Sequence, residues 1–213
     1  MQEVFERGKK EGWPMKKLGE ICNFQNGLWK GKKPPFKVVK VLRNTNFLNS
    51  GHLDLTNVAE IKVEERQLAS RLLQRGDLIL ERSGGGPTQP VGRVVYFDTA
   101  GEYSFSNFTT RIRVNNSSQV DPIYLWRYLN YLYISGQTEK LQKQTTGIRN
   151  LIFSEYKDLQ ISLPLVSKQK QIVIYLDSLF EKVEKLKKLQ EETAEKLTQL
   201  RQSILDKAFK GEL

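Results

Sequence analysis

Lys33-Pro34-Pro35-Phe36 has the outline of an amino-methyltransferase loop, in which Asn or Asp precedes Pro-Pro-aromatic. That loop needs a side-chain oxygen to accept a hydrogen bond from the target amino group, and a lysine cannot accept one. Gly84-Gly85-Gly86 is followed by Pro87-Thr88 and not by Lys-Ser/Thr, so it is not a P-loop. Asp54, Glu60 and Lys62 stand in the order of a nuclease site, though at cramped spacing. The single histidine, His52, follows Asn49-Ser50-Gly51 and reads as a turn residue, not a base. One cysteine, Cys22, excludes an internal disulfide and a multi-cysteine zinc site, and reads as a buried apolar filler. No group of His, Cys or carboxylates has the spacing of metal ligands. These residues point to binding and not to catalysis, with no metal and no cofactor.

The residues suited to binding are polar and basic. Arginine and lysine can read guanine in the major groove, and asparagine and glutamine can read adenine. Arg82, Ser83, Gly84, Thr88, Gln89 and Arg93 surround a glycine loop that would let backbone approach DNA closely. Arg43, Asn44 and Asn46 lie in one turn, Ser106, Asn107, Thr109, Thr110 and Arg111 on one unusually polar strand, and Thr145, Thr146, Arg149 and Asn150 in one loop. Between Gln25 and Leu53 there are Lys30, Lys32, Lys33, Lys37, Lys40 and Arg43 and no acid. Lys140–Ser154 is also basic without an acid. The net charge is +10, of which residues 1–165 hold +8. Acid-free basic stretches fit a polyanion, most simply the phosphates of double-stranded DNA.

The elements that would carry these residues form an α+β domain over residues 1–165. Met1–Lys10 reads as a polar tail and Leu18–Cys22 as a short helix. Val38, Val39 and Val41 predict a strand over Phe36–Leu42. His52–Val63 reads as the other arm of its hairpin, and Glu64–Leu73 as a helix. Leu78–Leu80 is a buried strand. Val91–Phe97 and Tyr103–Val114 read as a strand pair around the turn Asp98-Thr99-Ala100-Gly101. Asp121-Pro122 supplies an N-cap and first helical position, so a helix runs over Pro122–Ile134. A second helical piece ends near Gln144, and Leu159, Ile161 and Leu163 alternate as a last strand.

Residues 166–213 predict one long helix. Ile172, Leu176, Leu179, Val183, Leu186, Leu197, Leu200 and Ile204 recur in alternating steps of four and three, with Gln190 and Thr193 in register between them. That is a coiled-coil seam. Such a helix is roughly 65 Å long at 1.5 Å per residue, too long for one domain to cover, so it calls for a second long helix. The e and g flanks include Lys182, Lys187, Lys196 and Arg201, which oppose like charge in either pairing direction. No apolar run reaches the roughly 20 residues of a membrane span, and Met1–Lys10 lacks the apolar core of a signal peptide. The reading is a cytoplasmic protein without a membrane partner.

The order of several short motifs resembles the specificity subunits of type I restriction–modification systems, in a half-length form with one target-recognition domain. The motifs are Gly12-Trp13 with Leu18-Gly19-Glu20-Ile21, and Arg75-Gly76-Asp77-Leu78-Ile79-Leu80-Glu81-Arg82-Ser83-Gly84. Thr145-Thr146-Gly147-Ile148-Arg149-Asn150-Leu151 and Leu163-Pro164 follow, then Gln169-Lys170-Gln171-Ile172-Val173. Leu200-Arg201-Gln202-Ser203-Ile204-Leu205 and Ala208-Phe209-Lys210-Gly211-Glu212-Leu213 end the series. The resemblance implies that residues 1–165 read one half of a bipartite site. It also implies that the long helix pairs antiparallel to set the gap, and that methyltransferase subunits supply the chemistry. Whether restriction subunits join is left open. Members commonly carry two recognition domains and two helices, so one of each implies a second copy as dimer partner. Two identical copies would read a palindromic site. Lys168 stands where the family commonly has glutamate. Two other readings stay open: a free-standing restriction nuclease using Asp54, Glu60 and Lys62, and a coiled-coil DNA-binding regulator without an enzyme partner.

Overall fold

The computed structural model describes residues 2–29, 31, 33–86, 89–145 and 147–211. In chain order the elements are α1 (Gln2–Lys10), β1 (Met15–Lys17), α2 (Leu18–Ile21), β2 (Cys22–Asn26), β3 (Phe36–Leu42), β4 (Ala59–Glu64), α3 (Glu65–Leu68), β5 (Asp77–Glu81) and β6 (Ser83–Gly85). They continue as β7 (Val94–Phe97), β8 (Tyr103–Phe105), β9 (Thr109–Val114), α4 (Pro122–Ile134), β10 (Gln142–Thr145), β11 (Ile148–Leu151), α5 (Phe153–Lys157), β12 (Gln160–Ser162) and α6 (Val166–Phe209). Short 3-10 turns lie at Asn44–Asn46 and Glu139–Leu141. The fold is mixed α and β with a long C-terminal helix. The chain divides into two compact units, Met1–Ile172 and Val173–Leu213.

In the first unit a four-stranded antiparallel sheet, ordered β2-β9-β5-β7, forms the centre. Leu78, Ile79 and Leu80 of β5 are fully buried, as their continuous apolar run requires. Beside it β4-β3-β8 form a second sheet, with β3 and β8 parallel. Leu42, Phe47, Ile79, Val95, Phe97 and Phe105 share one core across these sheets. A third sheet, β10-β11-β6, carries the glycine loop on one edge.

The Asp121-Pro122 signal is obeyed closely. Asp121 Oδ1 accepts hydrogen bonds from the backbone N–H groups of Ile123 and Tyr124, both at 2.9 Å. The helix is pinned at Tyr124, whose hydroxyl donates to Ser162 O at 2.7 Å, and at Trp126, whose Nε1 donates to Val94 O at 3.1 Å. At the start of α6 Gln169 is fully buried. Its Oε1 accepts from Asp121 N, and its Nε2 donates to Gln119 O and Pro164 O. One amide thereby ties the first turns of α6 to the cap of α4.

Four expectations are corrected. Residues 2–10 are helix α1, not a polar tail, because Phe5 buries its ring against Tyr124, Tyr128 and Tyr131. The Tyr103–Val114 strand is broken into β8 and β9, with Thr109 N bonded back to Ser106 O at 2.9 Å. β7 and β8 are not a hairpin: β7 pairs with β5, and β8 joins β3 in parallel. The helical piece ending near Gln144 is a single 3-10 turn leading into the hairpin β10-β11. Cys22 is buried as expected, and that burial pushes its thiol pKa up to about 12.

The second unit is one helical segment of α6, which runs 44 residues in all. Along it Val183, Leu186, Leu197, Leu200 and Ile204 are exposed, Leu179 is half-buried, and Leu176 is buried. Thr193 returns its hydroxyl to Leu189 O at 2.7 Å, so this polar seam residue is satisfied on its own helix. Lys187 pairs with Glu184 one turn back at 2.9 Å. No described helix is long and apolar enough to cross a membrane.

Candidate nucleic-acid interface

A cleft of about 650 Å³ draws its expected polar residues from three chain segments. Arg43 and Asn44 come from the turn after β3, Gly84 from β6, and Ser106 and Asn107 from the break between β8 and β9. The polar residues expected from these three stretches are therefore neighbours in space. Leu28, Val41, Ile61 and Val63 give the cleft apolar walls, and Trp29 and Phe108 stand at 64% and 46% exposure.

The polar side of the cleft is held from behind. Asn44 Nδ2 donates to Ser83 O at 2.7 Å, which fixes the amide, and its Oδ1 is buried without a hydrogen-bond partner among the described residues. Ser106 is 8% exposed, and its Oγ likewise has no hydrogen-bond partner among the described residues. Gly84 sits at φ +103°, and a Cβ there would meet Asn44 Nδ2 at 3.0 Å, so only glycine fits both the backbone and the amide. Gly27 passes even closer: a Cβ would lie 1.9 Å from Ser106 O.

Next to the cleft the β10-β11-β6 sheet displays a second polar surface. Ser83 Oγ is hydrogen-bonded to Asn150 Oδ1, coupling β6 to β11. Gln144 pairs with Arg149 across the hairpin, and Lys143, Gln144 and Ile148 are exposed toward its tip. Arg82 is pre-oriented by Asn26 Oδ1 at 2.8 Å and by the ring of Phe153 at 5.5 Å. Gln89 is exposed, and its backbone N–H donates to Gly86 O. Lys33 is exposed, and its backbone N–H donates to Glu64. Thr145 ends β10. Lys30, Lys32, Thr88 and Thr146 lie outside the described residues.

Besides Ser106, five expected surface residues are interior. Arg93 is buried, with Nε and Nη2 on the two oxygens of Glu81 at 2.7 and 2.9 Å. Its Nη1 and Nη2 also reach Phe47 O and Asn44 O. The hydrogen bonds to Glu81 hold its guanidinium pKa above the ordinary value. Asn46 is buried too, accepting from Arg43 N and donating to Asp54 O and Asn57 O. Thr109 and Thr110 are fully buried on β9. Arg111 gives Nη1 to Ser70 O, and its burial pulls its pKa down, with Arg113 adding to the effect. Three of them brace residues that line the cleft: Arg93 donates to Asn44 O, Asn46 accepts from Arg43 N, and Thr109 Oγ1 donates to Ser106 O. Trp29, Phe108 and Asn26 were not among the residues expected. An exposed Trp inside the acid-free basic stretch was the available signal.

Asp54 is held within its own turn, accepting from Thr56 N and Oγ1, and these bonds keep its pKa below the ordinary carboxylate value. Lys62 Nζ lies over the Phe36 ring at 5.2 Å. Among the described residues no three His, Cys, Asp or Glu side chains gather as metal ligands.

The family model for the type I restriction modification DNA specificity domain matches residues 10–195. The chain belongs to this family. Among its relatives is the type I restriction enzyme StySPI specificity subunit of Salmonella potsdam, 24% identical over 208 residues. The EcoKI specificity subunit of Escherichia coli K12 is 25% identical over 166 residues. These alignments take in 95% and 78% of the chain, but 43% and 36% of the relatives, so the chain spans less than half the length of either. The HsdS subunit of Thermoanaerobacter tengcongensis superposes on all of the chain with a TM-score of 0.60 at 23% identity, using 51% of that subunit. A chain from a structure of complex assembly in a type I R-M system superposes with a TM-score of 0.66 at 22% identity, again over all of this chain and 52% of the other. The fold of the specificity family, a mixed domain followed by a long helix, is thereby shared.

Proposed function

We propose that this specificity-family chain reads one half of a bipartite DNA site without catalysing a reaction itself. Residues 1–165 act as the target-recognition domain and residues 166–213 as spacer and dimerisation helix. Two copies pair through the exposed seam of α6 and hold two half-sites in opposite orientation. Methyltransferase subunits, with or without restriction subunits, bring the chemistry to DNA so held. A DNA partner of this kind puts the work in the cytoplasm. The observation that carries the reading is the convergence of Arg43, Asn44, Gly84, Ser106 and Asn107 from three segments onto one cleft beside a polar hairpin sheet. The StySPI and EcoKI relatives are specificity subunits of type I restriction enzymes, which supports the same reading.

Methylation mapping of cells that carry the chain together with its methyltransferase tests it. A two-fold pair must read a split palindrome. Methylation at such a site, gained with the chain and lost without it, is the expected result. An asymmetric site excludes the paired copies, and methylation that ignores the chain overturns the reading altogether.

The affinity should also depend steeply on salt, since each neutralised phosphate releases counterions. Replacing Lys30, Lys32 and Lys33 together with glutamine is expected to flatten the log–log salt slope by roughly two to three units, near one per phosphate contact. A slope left unchanged in a filter-binding titration would show that this stretch faces away from DNA.

A further inference from the structure

The exposed seam of α6 does not suit a second copy in every arrangement. Ile172 and Leu176 are already buried within their own chain, so the seam open to a partner runs from Leu179 to Ile204. Gln190 stands eleven residues after Leu179, and Thr193 eleven before Ile204. The two polar positions therefore straddle the centre of the open stretch. With Leu176, Val183, Leu197 and Ile204 as a positions, four exposed cations flank the seam: Lys182 and Lys196 at g, Lys187 and Arg201 at e. Between them stand Leu189 and Ser203 at g, and Phe180 and Ala194 at e.

Two-fold symmetry allows a parallel pair only in register. There each g residue meets the following e residue of the other helix. That sets Lys182 against Lys187 and Lys196 against Arg201, each of them twice. In an antiparallel pair a faces d, g faces g and e faces e. With Gln190 opposite Thr193, Leu186 meets Leu197, Val183 meets Leu200 and Leu179 meets Ile204. In that arrangement Lys182 faces Ser203, Lys196 faces Leu189, Lys187 faces Ala194 and Arg201 faces Phe180. No cation meets another, the lysine stems cover apolar neighbours, and a guanidinium beside an aromatic ring is attractive. A slip of one heptad one way puts Lys182 on Lys196 and Gln190 on Leu186. A slip the other way puts Lys187 on Arg201 and Gln190 on Leu200. The like-charge opposition of the flanks thus holds for the parallel pair and for both neighbouring registers, and vanishes in one.

We propose that two copies pair antiparallel in this register, with the two-fold axis passing between Gln190 and Thr193. This rests on the pairing of copies proposed above and fixes its direction and register. The two Val173 positions then lie roughly 55 Å apart along the helix axis, the length that the spacer holds constant.

Cysteine pairs in the full chain test it. Leu186→Cys, Gln190→Cys, Leu197→Cys and Ile204→Cys are single variants at exposed positions, and the native Cys22 is buried. They are co-expressed in pairs and oxidised. Leu186→Cys with Leu197→Cys should give a disulfide-linked dimer at least about tenfold above either variant alone, because only that pair brings the sulfurs within bonding reach. Leu186→Cys linked to itself means a parallel pair, and linked to Gln190→Cys or Ile204→Cys it means a slipped register; either overturns the proposal. Arg201→Glu supplies a second measurement that keeps every core layer. In the proposed register it should hold or weaken the dimer, by up to about fivefold, as the contact with Phe180 is lost. A tighter dimer in sedimentation equilibrium would mean new ion pairs with Lys196 or Lys187, and would overturn the register. A dimeric wild type with no link in any combination overturns the register while the pairing of copies stands. A monomeric wild type overturns the register and the pairing together, and half-site reading is then judged by the methylation map alone.

Discussion

A chain lacking Lys188–Ala194 is expected to bind half-sites of unchanged sequence set about three base pairs closer together. Seven residues are two turns of a heptad helix, so Val183 and Leu186 remain in register with Leu197 and Leu200. The helix shortens by about 10 Å at 1.5 Å per residue, which equals roughly three base pairs of duplex. The half-sites would also turn about the DNA axis by roughly 100°, and a pair too stiff to absorb that turn would lose the bipartite site entirely. The same deletion removes Gln190 and Thr193, the polar interruptions of the seam. Polar seam residues cost stability in coiled coils, so the dimer should dissociate at lower concentration than the wild type. Sedimentation equilibrium reads the dimer, and methylation mapping or in vitro selection reads the gap. An unchanged gap would exclude the helix as the spacer, and a weaker dimer would exclude the seam as drawn.

The features legible in the sequence are those set by local chemistry. Asp121-Pro122 placed α4 because cap and first turn are decided by neighbouring residues. The four-three repeat placed α6 because a seam is a property of one helix. What escaped depends on distant partners. α1 is anchored by Phe5 on tyrosines of α4, contacts that a polar nonapeptide does not announce. β8 looked like the return arm of β7, since both alternate and a turn lies between them. Its partner is instead β3, in parallel, which alternation cannot reveal. The interface divides along the same line. Arg43, Asn44, Gly84, Ser106 and Asn107 could be chosen by residue type, and folding gathers them. Residue type also selected Asn46, Arg93, Thr110 and Arg111, because an asparagine that braces a turn has the same donors as one that reads adenine. Burial and committed partners together separate the two uses: Ser106 and Arg93 are both 8% exposed, but Arg93 is ion-paired to Glu81.

Arg93 offers the sharpest test of that separation. Glu81→Ala is expected to lower the unfolding free energy by about 3–5 kcal/mol, the usual consequence of stranding one charge of a buried pair. Glu81 and Arg93 are both buried, and their two hydrogen bonds of 2.7 and 2.9 Å form a bidentate pair between β5 and the entry to β7. Without the carboxylate the guanidinium keeps its hydrogen bonds to the carbonyls of Phe47 and Asn44 and its contact with the Phe47 ring, with no carboxylate to balance its charge. The double variant Glu81→Leu with Arg93→Met removes both charges and should recover most of the loss, since apolar replacements of buried ion pairs are often neutral or better. Urea unfolding of Glu81→Leu alone, Arg93→Met alone and the double variant gives the coupling directly. A loss below about 1 kcal/mol for Glu81→Ala would mean the pair behaves as an exposed one. The folded double variant also settles the role of Arg93 toward DNA. An arginine on phosphate contributes about one unit to the salt slope, whereas one sealed against Glu81 contributes none. The slope of the double variant should therefore match that of the wild type, and a fall of one unit would return Arg93 to the DNA surface.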